Sequence, residues 1–188
     1  MGLHAQVTLM SHEDYLEGEL HSEIKHEYVA GHIYAMSGAS RAHNRISLNC
    51  SYLLQTGLSS TPCDVYVSDV KVRVEAADAF YYPDVVVGCE PKDNNQYYLT
   101  QPKIIIEVLS PSTAQIDKRE KLLSYKTIDS LQEYIIIAQD KCEIMLYERI
   151  DIKNWNLTIL GKNDKFKLES IDLEIVVSDI YARTDLEC

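Results

Sequence analysis

The sequence predicts an α+β fold, a mixed central β-sheet flanked by helices. Three observations predict it. Short β-branched runs such as Val85-Val86-Val87, Ile104-Ile105-Ile106 and Ile135-Ile136-Ile137 read as strands buried on both faces. Segments with helical spacing and capping residues fall between such runs. Several strand pairs are joined by turns too short for a crossover, which argues against a purely parallel, doubly wound sheet. A length of 188 residues suits a single domain over 1–188 with a substantial core.

The elements follow in order. Residues 11–22 form an amphipathic helix with Ser11 as N-cap and Asp14 in the place of the capping-box acid. Ala30-Gly31 between two alternating runs is a hairpin signal. With a period of two, Glu27 and Val29 point one way and Tyr28 the other. Residues 40–56 are helical, with Ser40 as cap, His43 in the first turn and Ile46, Leu48, Leu53 and Leu54 as apolar positions, up to Gly57. Cys63 to Val67 is a strand. Val70 to Glu75 alternates strictly, so it reads as a strand with one wet face, and Asp78-Ala79-Phe80 as a turn. Residues 90–101 are a polar loop. Ser110-Pro111-Ser112-Thr113 ends the strand around Glu107 and precedes a helix over about 114–128. Glu133 to Ala138 and Cys142 to Arg149 are strands, 154–177 holds further short strands, and Asp179 to Ala182 a helical turn.

Composition narrows the function. The hydrophobic fraction is 46% and the charged fraction 25%, an ordinary globular balance. No apolar run reaches membrane-span length, and no basic-then-apolar leader pattern opens the chain. The five cysteines have neither zinc nor redox spacing, so reduced thiols in a cytoplasmic protein are expected. A net charge of −11 repels nucleic acid at long range, so such a partner would need a local basic surface. Lys71, Arg73, Lys118, Arg119, Lys121 and Lys126 are its candidates.

The chemistry concentrates in Pro83-Asp84-Val85-Val86-Val87 and Ile104-Ile105-Ile106-Glu107-Val108-Leu109. A carboxylate set in a buried strand is costly unless something neutralises it. Two on neighbouring strands invite a divalent cation. In the following helix Lys121 shares a stripe with Lys118, Tyr125 and Ile128. An inward stripe would aim Lys121 at both carboxylates. The blander readings are a turn role for Asp84, a pairing of Glu107 with Lys103 or Arg73, a pairing of Glu27 with Lys25, a core role for Tyr125 and a solvated Lys121. Tyr97-Tyr98 could stack on bases or pack a dimer interface.

These residues resemble the PD-(D/E)XK nuclease superfamily, and within it a restriction-endonuclease-like family long catalogued as a domain of unknown function. The resemblance runs from about residue 8 to 150. It is carried by Glu27 with Gly31, His43, Asp69 to Arg73, Pro83-Asp84, Glu107 to Thr113, Asp117, Lys121, Tyr125 and Glu133-Tyr134. It departs from the superfamily in having Leu109 where the Glu-x-Lys lysine usually stands; Lys121 matches the helical lysine of this family. The resemblance implies a Mg²⁺-dependent phosphodiesterase, with Mn²⁺ able to substitute. Asp84, Glu107 and the Val108 carbonyl would hold the metal. Lys121 would orient water or stabilise charge, and Glu27 would join the catalytic set. His43, Tyr125, Lys118, Arg73 and Lys71 would support the site or contact nucleic acid, DNA being the expected substrate. The alternative is a silent nucleic-acid- or protein-binding module of the same fold. A homodimer is expected in either case.

Overall fold

The computed structural model describes residues 9–110 and 117–186; the side chains of Asp117 and Lys118 fall outside that description. Helix α1 (His12–His21) is capped by Ser11, whose Oγ accepts from the Asp14 N–H. The chain then enters the hairpin of β1 (His26–Val29) and β2 (His32–Ala35). Ala30 and Gly31 lie between the strands at φ 48° and 84°, the left-handed pair that a two-residue turn with the right twist requires. Helix α2 (Arg41–Gly57) is capped by Ser40. Next come β3 (Asp64–Val67), β4 (Lys71–Val74), β5 (Ala79–Tyr81), β6 (Val85–Gly88), the two-residue β7 (Tyr98–Leu99) and β8 (Pro102–Leu109). A π-helical turn (Asp117–Lys121) leads into α3 (Leu122–Tyr125). Strands β9 (Glu133–Ala138), β10 (Glu143–Arg149), β11 (Trp155–Gly161), β12 (Lys165–Leu168) and β13 (Leu173–Val176) precede α4 (Val177–Ile180).

The strands form two large sheets and a small hairpin sheet. A six-stranded sheet runs β11-β10-β9-β8-β6-β3, and a five-stranded one runs β2-β1-β5-β4-β7. Both are mixed. In the larger, β8 and β9 are parallel, and the crossover between them carries Lys121. The expected central sheet is thus the six-stranded one, joined by a second large sheet that the sequence reading did not separate.

Alternation along β8 sorts the layers. Ile104, Ile106 and Val108 face a core shared with Ile46, Cys50 and Leu54 of α2 and with Phe166, Ile175 and Ile180 of the C-terminal segment. Ile105 and Leu109 face the other core, against Val72, Val74 and Tyr81 of the smaller sheet and Tyr125 and Ile128. Each fully buried Ile or Val contributes roughly 1.5–3 kcal/mol, so β6, β8 and β9 form the rigid centre. Helix α1 covers the outer side of the smaller sheet, where Tyr15 packs on Tyr28 and Phe80.

Several expectations change. Leu48 is 53% exposed; Ser47 and Ser51 share the inward face with Ile46, Cys50 and Leu54. Strand β4 has no open face, because the outer side of its sheet is also covered, and Lys71 is buried. Ala79 and Phe80 belong to a strand, with only Asp78 in the turn. The helix near Lys121 ends at Tyr125, before the predicted 128, and 126–127 form a turn; 111–116 lie outside the described residues. Cys63 and Cys89 form a disulfide, which overturns the expectation of reduced thiols for this pair. They flank the Asp64–Gly88 cross-strand pair, a proximity that appears only once β3 is paired with β6. The cytoplasmic expectation loses that part of its support. Cys50 is a free, buried thiol, pushed up to about 12 by burial foremost. Among the described residues no helix is long and apolar enough to cross a membrane.

Gly31→Ala tests the hairpin that carries Glu27. The left-handed backbone costs a residue with a Cβ about 1–2 kcal/mol, and the new Cβ would lie 2.6 Å from the Leu9 Cβ. A lowered melting temperature is expected by calorimetry.

Candidate active site

Both large sheets, α2 and the helical segment Asp117–Tyr125 deliver side chains to one end of the six-stranded sheet. Glu107 is near the end of β8 and shares the face of Ile105 and Leu109, so it points toward the smaller sheet and α3. It is 3% exposed. Lys121, 4% exposed, places Nζ 2.8 Å from Glu27 Oε1 and 3.2 Å from Glu107 Oε1. Tyr125, one turn later, donates its hydroxyl to the same Glu107 oxygen at 3.1 Å. Burial, then the Glu107 charge, pushes the Tyr125 phenol well above its ordinary range. It stays a proton donor at neutral pH and does not act as a base.

Asp84 sits just before β6. Its Oδ2 accepts the Val108 N–H at 2.7 Å and lies 3.3 Å from His43 Nε2 of α2. The Val108 amide is open to it because the β6–β8 ladder ends at Val85 opposite Ile106. Glu27 also accepts the Tyr82 N–H at 3.2 Å, which ties β1 to the segment leading into Asp84. The structure therefore brings together Glu27, His43, Asp84, Glu107, Lys121 and Tyr125. Lys25 pairs with Asp69 instead of Glu27.

Lys71 and Arg73 are not part of this cluster. Lys71 donates to the Tyr82 hydroxyl at 3.1 Å, and that hydroxyl donates to Glu19 at 3.0 Å. Arg73 lies over the Phe80 ring and lines a separate hollow of about 500 Å³ with Thr100, Ile128 and Ser130. Both face the outer side of the smaller sheet, for Val72 and Val74 take the inner side. Lys126 lies over Tyr147 and Trp155. The Lys118 side chain lies outside the described residues. Tyr98 packs on Phe80, and Tyr97 is 44% exposed.

One supporting residue had no signal in the sequence. Arg149, on β10, donates to the carbonyls of Lys126, Ile128, Leu131 and Ile152 and stacks over Trp155. It satisfies carbonyls of the chain just beyond α3, groups that a helix end leaves without partners. It thereby fixes the helix that carries Lys121 and Tyr125.

Comparison with known proteins matches this arrangement to a family model. The model is described as "Uma2: Putative restriction endonuclease", and it matches residues 12–178. The chain belongs to that family. Two relatives from Synechocystis sp. share 36% identity with it. The uncharacterized protein slr1290 aligns over 92% of this chain and 91% of its own length. The uncharacterized protein sll1609 aligns over 85% and 92%. A crystal structure from Anabaena variabilis, titled as a putative nuclease belonging to DUF820, superposes with a TM-score of 0.73 at 16% identity, covering 90% of this chain and 96% of that one. The fold is restriction-endonuclease-like. Family membership covers every residue of the cluster.

The donor chemistry fits a hard cation. Among the described residues no three of His, Cys, Asp and Glu form a ready-made cage. Mg²⁺ does not need one, because it keeps several waters and binds through one or two carboxylates plus substrate phosphates. Among the described residues the Val108 N–H and His43 both meet Asp84 at Oδ2, which leaves Oδ1 as a candidate metal donor.

Lys71 gives a pH-dependent test of this region. Burial lowers its pKa below the usual lysine value. The folded state thus binds its proton less readily than the unfolded chain, and stability rises with pH between the folded and unfolded values. Lys71→Met removes the buried ammonium. A higher melting temperature than wild type is expected at neutral pH, with the gap narrowing as pH rises toward about 10.4, the unfolded value.

Proposed function

We infer that the protein is a metal-dependent nuclease that hydrolyses phosphodiester bonds of nucleic acid, DNA being the expected substrate. One observation carries the reading. A buried ammonium, Lys121, bridges two carboxylates at the end of β8, beside a third carboxylate, Asp84. A lysine held there is set to stabilise charge on an attacked phosphate.

Asp84 and Glu107 would hold Mg²⁺, with the Val108 carbonyl as a third donor. Such an ion polarises a phosphate oxygen and lowers the pKa of a bound water. Glu27 and Glu107 fix the position of the Lys121 ammonium, so it needs little reorganisation as charge develops. Tyr125 holds the shared oxygen of Glu107 and so fixes the orientation of that carboxylate. His43 does the same for Asp84. Membership of a family described as "Putative restriction endonuclease" supports the reading, as does the fold shared with the Anabaena structure, itself described as a putative nuclease. A homodimer would set two such sites against the two strands of a duplex. A cytoplasmic location would suit a nucleic-acid substrate.

The mutual neutralisation of Lys121 and its carboxylates favours a second reading, a silent binding module of the same fold. Cleavage separates the two. Labelled single- and double-stranded DNA and RNA are incubated with the protein and Mg²⁺ or Mn²⁺, beside Asp84→Ala and Lys121→Ala. Metal-dependent cleavage that falls by about 100-fold or more in both variants is expected. Removing Lys121 takes the shared ammonium from two buried carboxylates and costs about 3–5 kcal/mol, so melting curves accompany the assay. Intact substrate in every lane, with no metal binding by calorimetry, would leave the binding module standing.

A further inference from the structure

The basic surface read from the sequence is mostly consumed by the fold. Lys71 is buried on Tyr82, Lys121 is held by carboxylates, Arg73 covers Phe80 and Lys126 covers aromatic rings. Arg119 of that set remains, and two arginines outside it join it around the site. Arg41 and Arg45 flank His43 by two residues on either side, and Arg119 precedes Lys121 by two. Arg41 and Arg119 are exposed and Arg45 is half-buried. Among the described residues none of the three makes an ion pair or a hydrogen bond through its side chain.

Helix α2 adds a second observation. At 100° per residue, Arg41, Arg45, Leu48 and Tyr52 fall on one narrow stripe, opposite the buried Ile46, Cys50 and Leu54. Leu48 is 53% and Tyr52 68% exposed. No Asp or Glu lies between Glu27 and Asp64, in a chain of net charge −11. This stretch is a locally basic surface on an acidic protein.

We propose that Arg41, Arg45 and Arg119 form a guanidinium rim that grips phosphates of a nucleic-acid strand flanking the cleaved position, with Tyr52 stacking on a base farther along α2. The layering supports it. Helix α2 covers one face of the six-stranded sheet, and the segment with Arg119 leads into α3 on the other. The rim therefore straddles the strand ends that carry Asp84 and Glu107. Arg41 and Arg45 project from the solvent side of α2 while His43 reaches inward, so they meet neighbouring phosphates and not the reacting one. Successive turns place Arg41 and Arg45 about 6 Å apart along the axis, a spacing that suits adjacent phosphates. Free guanidinium forks bind phosphate oxygens bidentately. An exposed tyrosine stacks on any base, whatever the sequence.

The inference rests on the nuclease reading for its substrate class, and its test separates the two. Fluorescein-labelled dT and U oligonucleotides are titrated by anisotropy in EDTA at several salt concentrations. The proteins are wild type, the Arg41→Ala/Arg45→Ala/Arg119→Ala triple variant and Tyr52→Ala, each with a melting curve. Loss of three phosphate contacts should weaken binding at low salt and flatten the log K against log salt slope by about 2 for a single strand. Tyr52→Ala should weaken binding on the order of tenfold with the slope kept. An unchanged Kd and slope in a folded triple variant overturns the proposal. So does a wild type that binds neither strand. Arginine-dependent binding without cleavage in Mg²⁺ or Mn²⁺ keeps the rim and sinks the nuclease reading. Asp84-dependent cleavage with arginine-independent binding does the reverse.

Discussion

Everything at the sheet end depends on one ammonium. Lys121 pairs with Glu27 from the smaller sheet and Glu107 from the larger one. Without it, two carboxylates would face each other across the seam between two apolar layers, and such a seam pays heavily for uncompensated charge. With it, the two sheets are joined at the point where chemistry would occur. The other contacts follow outward from this pair. Tyr125 shares the Glu107 oxygen, the Tyr82 amide shares the Glu27 oxygen, and His43 and the Val108 amide fix Asp84.

The place of Leu109 accounts for where the lysine stands. Leu109 shares the Glu107 face of β8 and is 8% exposed in the core beneath the smaller sheet. In place of an ammonium, the leucine side chain completes the apolar face of β8 against that core. Moving the charge to the crossover between β8 and β9 leaves an unbroken apolar strand. It brings the charge in from above, alongside the Tyr81 ring.

The elements that repeat a local pattern were legible in the sequence. Ser11 and Ser40 announce their helices, Ala30-Gly31 its turn, and the Val and Ile runs their strands. Glu27, Asp84, Glu107, Lys121 and Tyr125 could be named as one group because charge in a buried run is itself a signal, and the family resemblance supplied the rest. What depends on pairing between distant segments was not legible. The Cys63–Cys89 bridge needs the β3–β6 register, the burial of Lys71 needs α1 over the smaller sheet, and the Arg149 anchor needs β10 beside the end of α3. Strict alternation in Val70 to Glu75 suggested a wet face because nothing local reveals that a second layer covers it.

Arg149 ties these threads to time as well as space. The carboxylates ride on strands at the rigid centre, whereas the ammonium rides on a short helix held by a guanidinium contributed some 28 residues later in the chain. During synthesis, β8 and the lysine emerge before the residue that fastens them. The chain beyond the ammonium is therefore fastened only once β10 lies beside it, and a local opening around Arg149 would loosen that anchor while the strands stay paired. Competence at this site is a property of the finished chain.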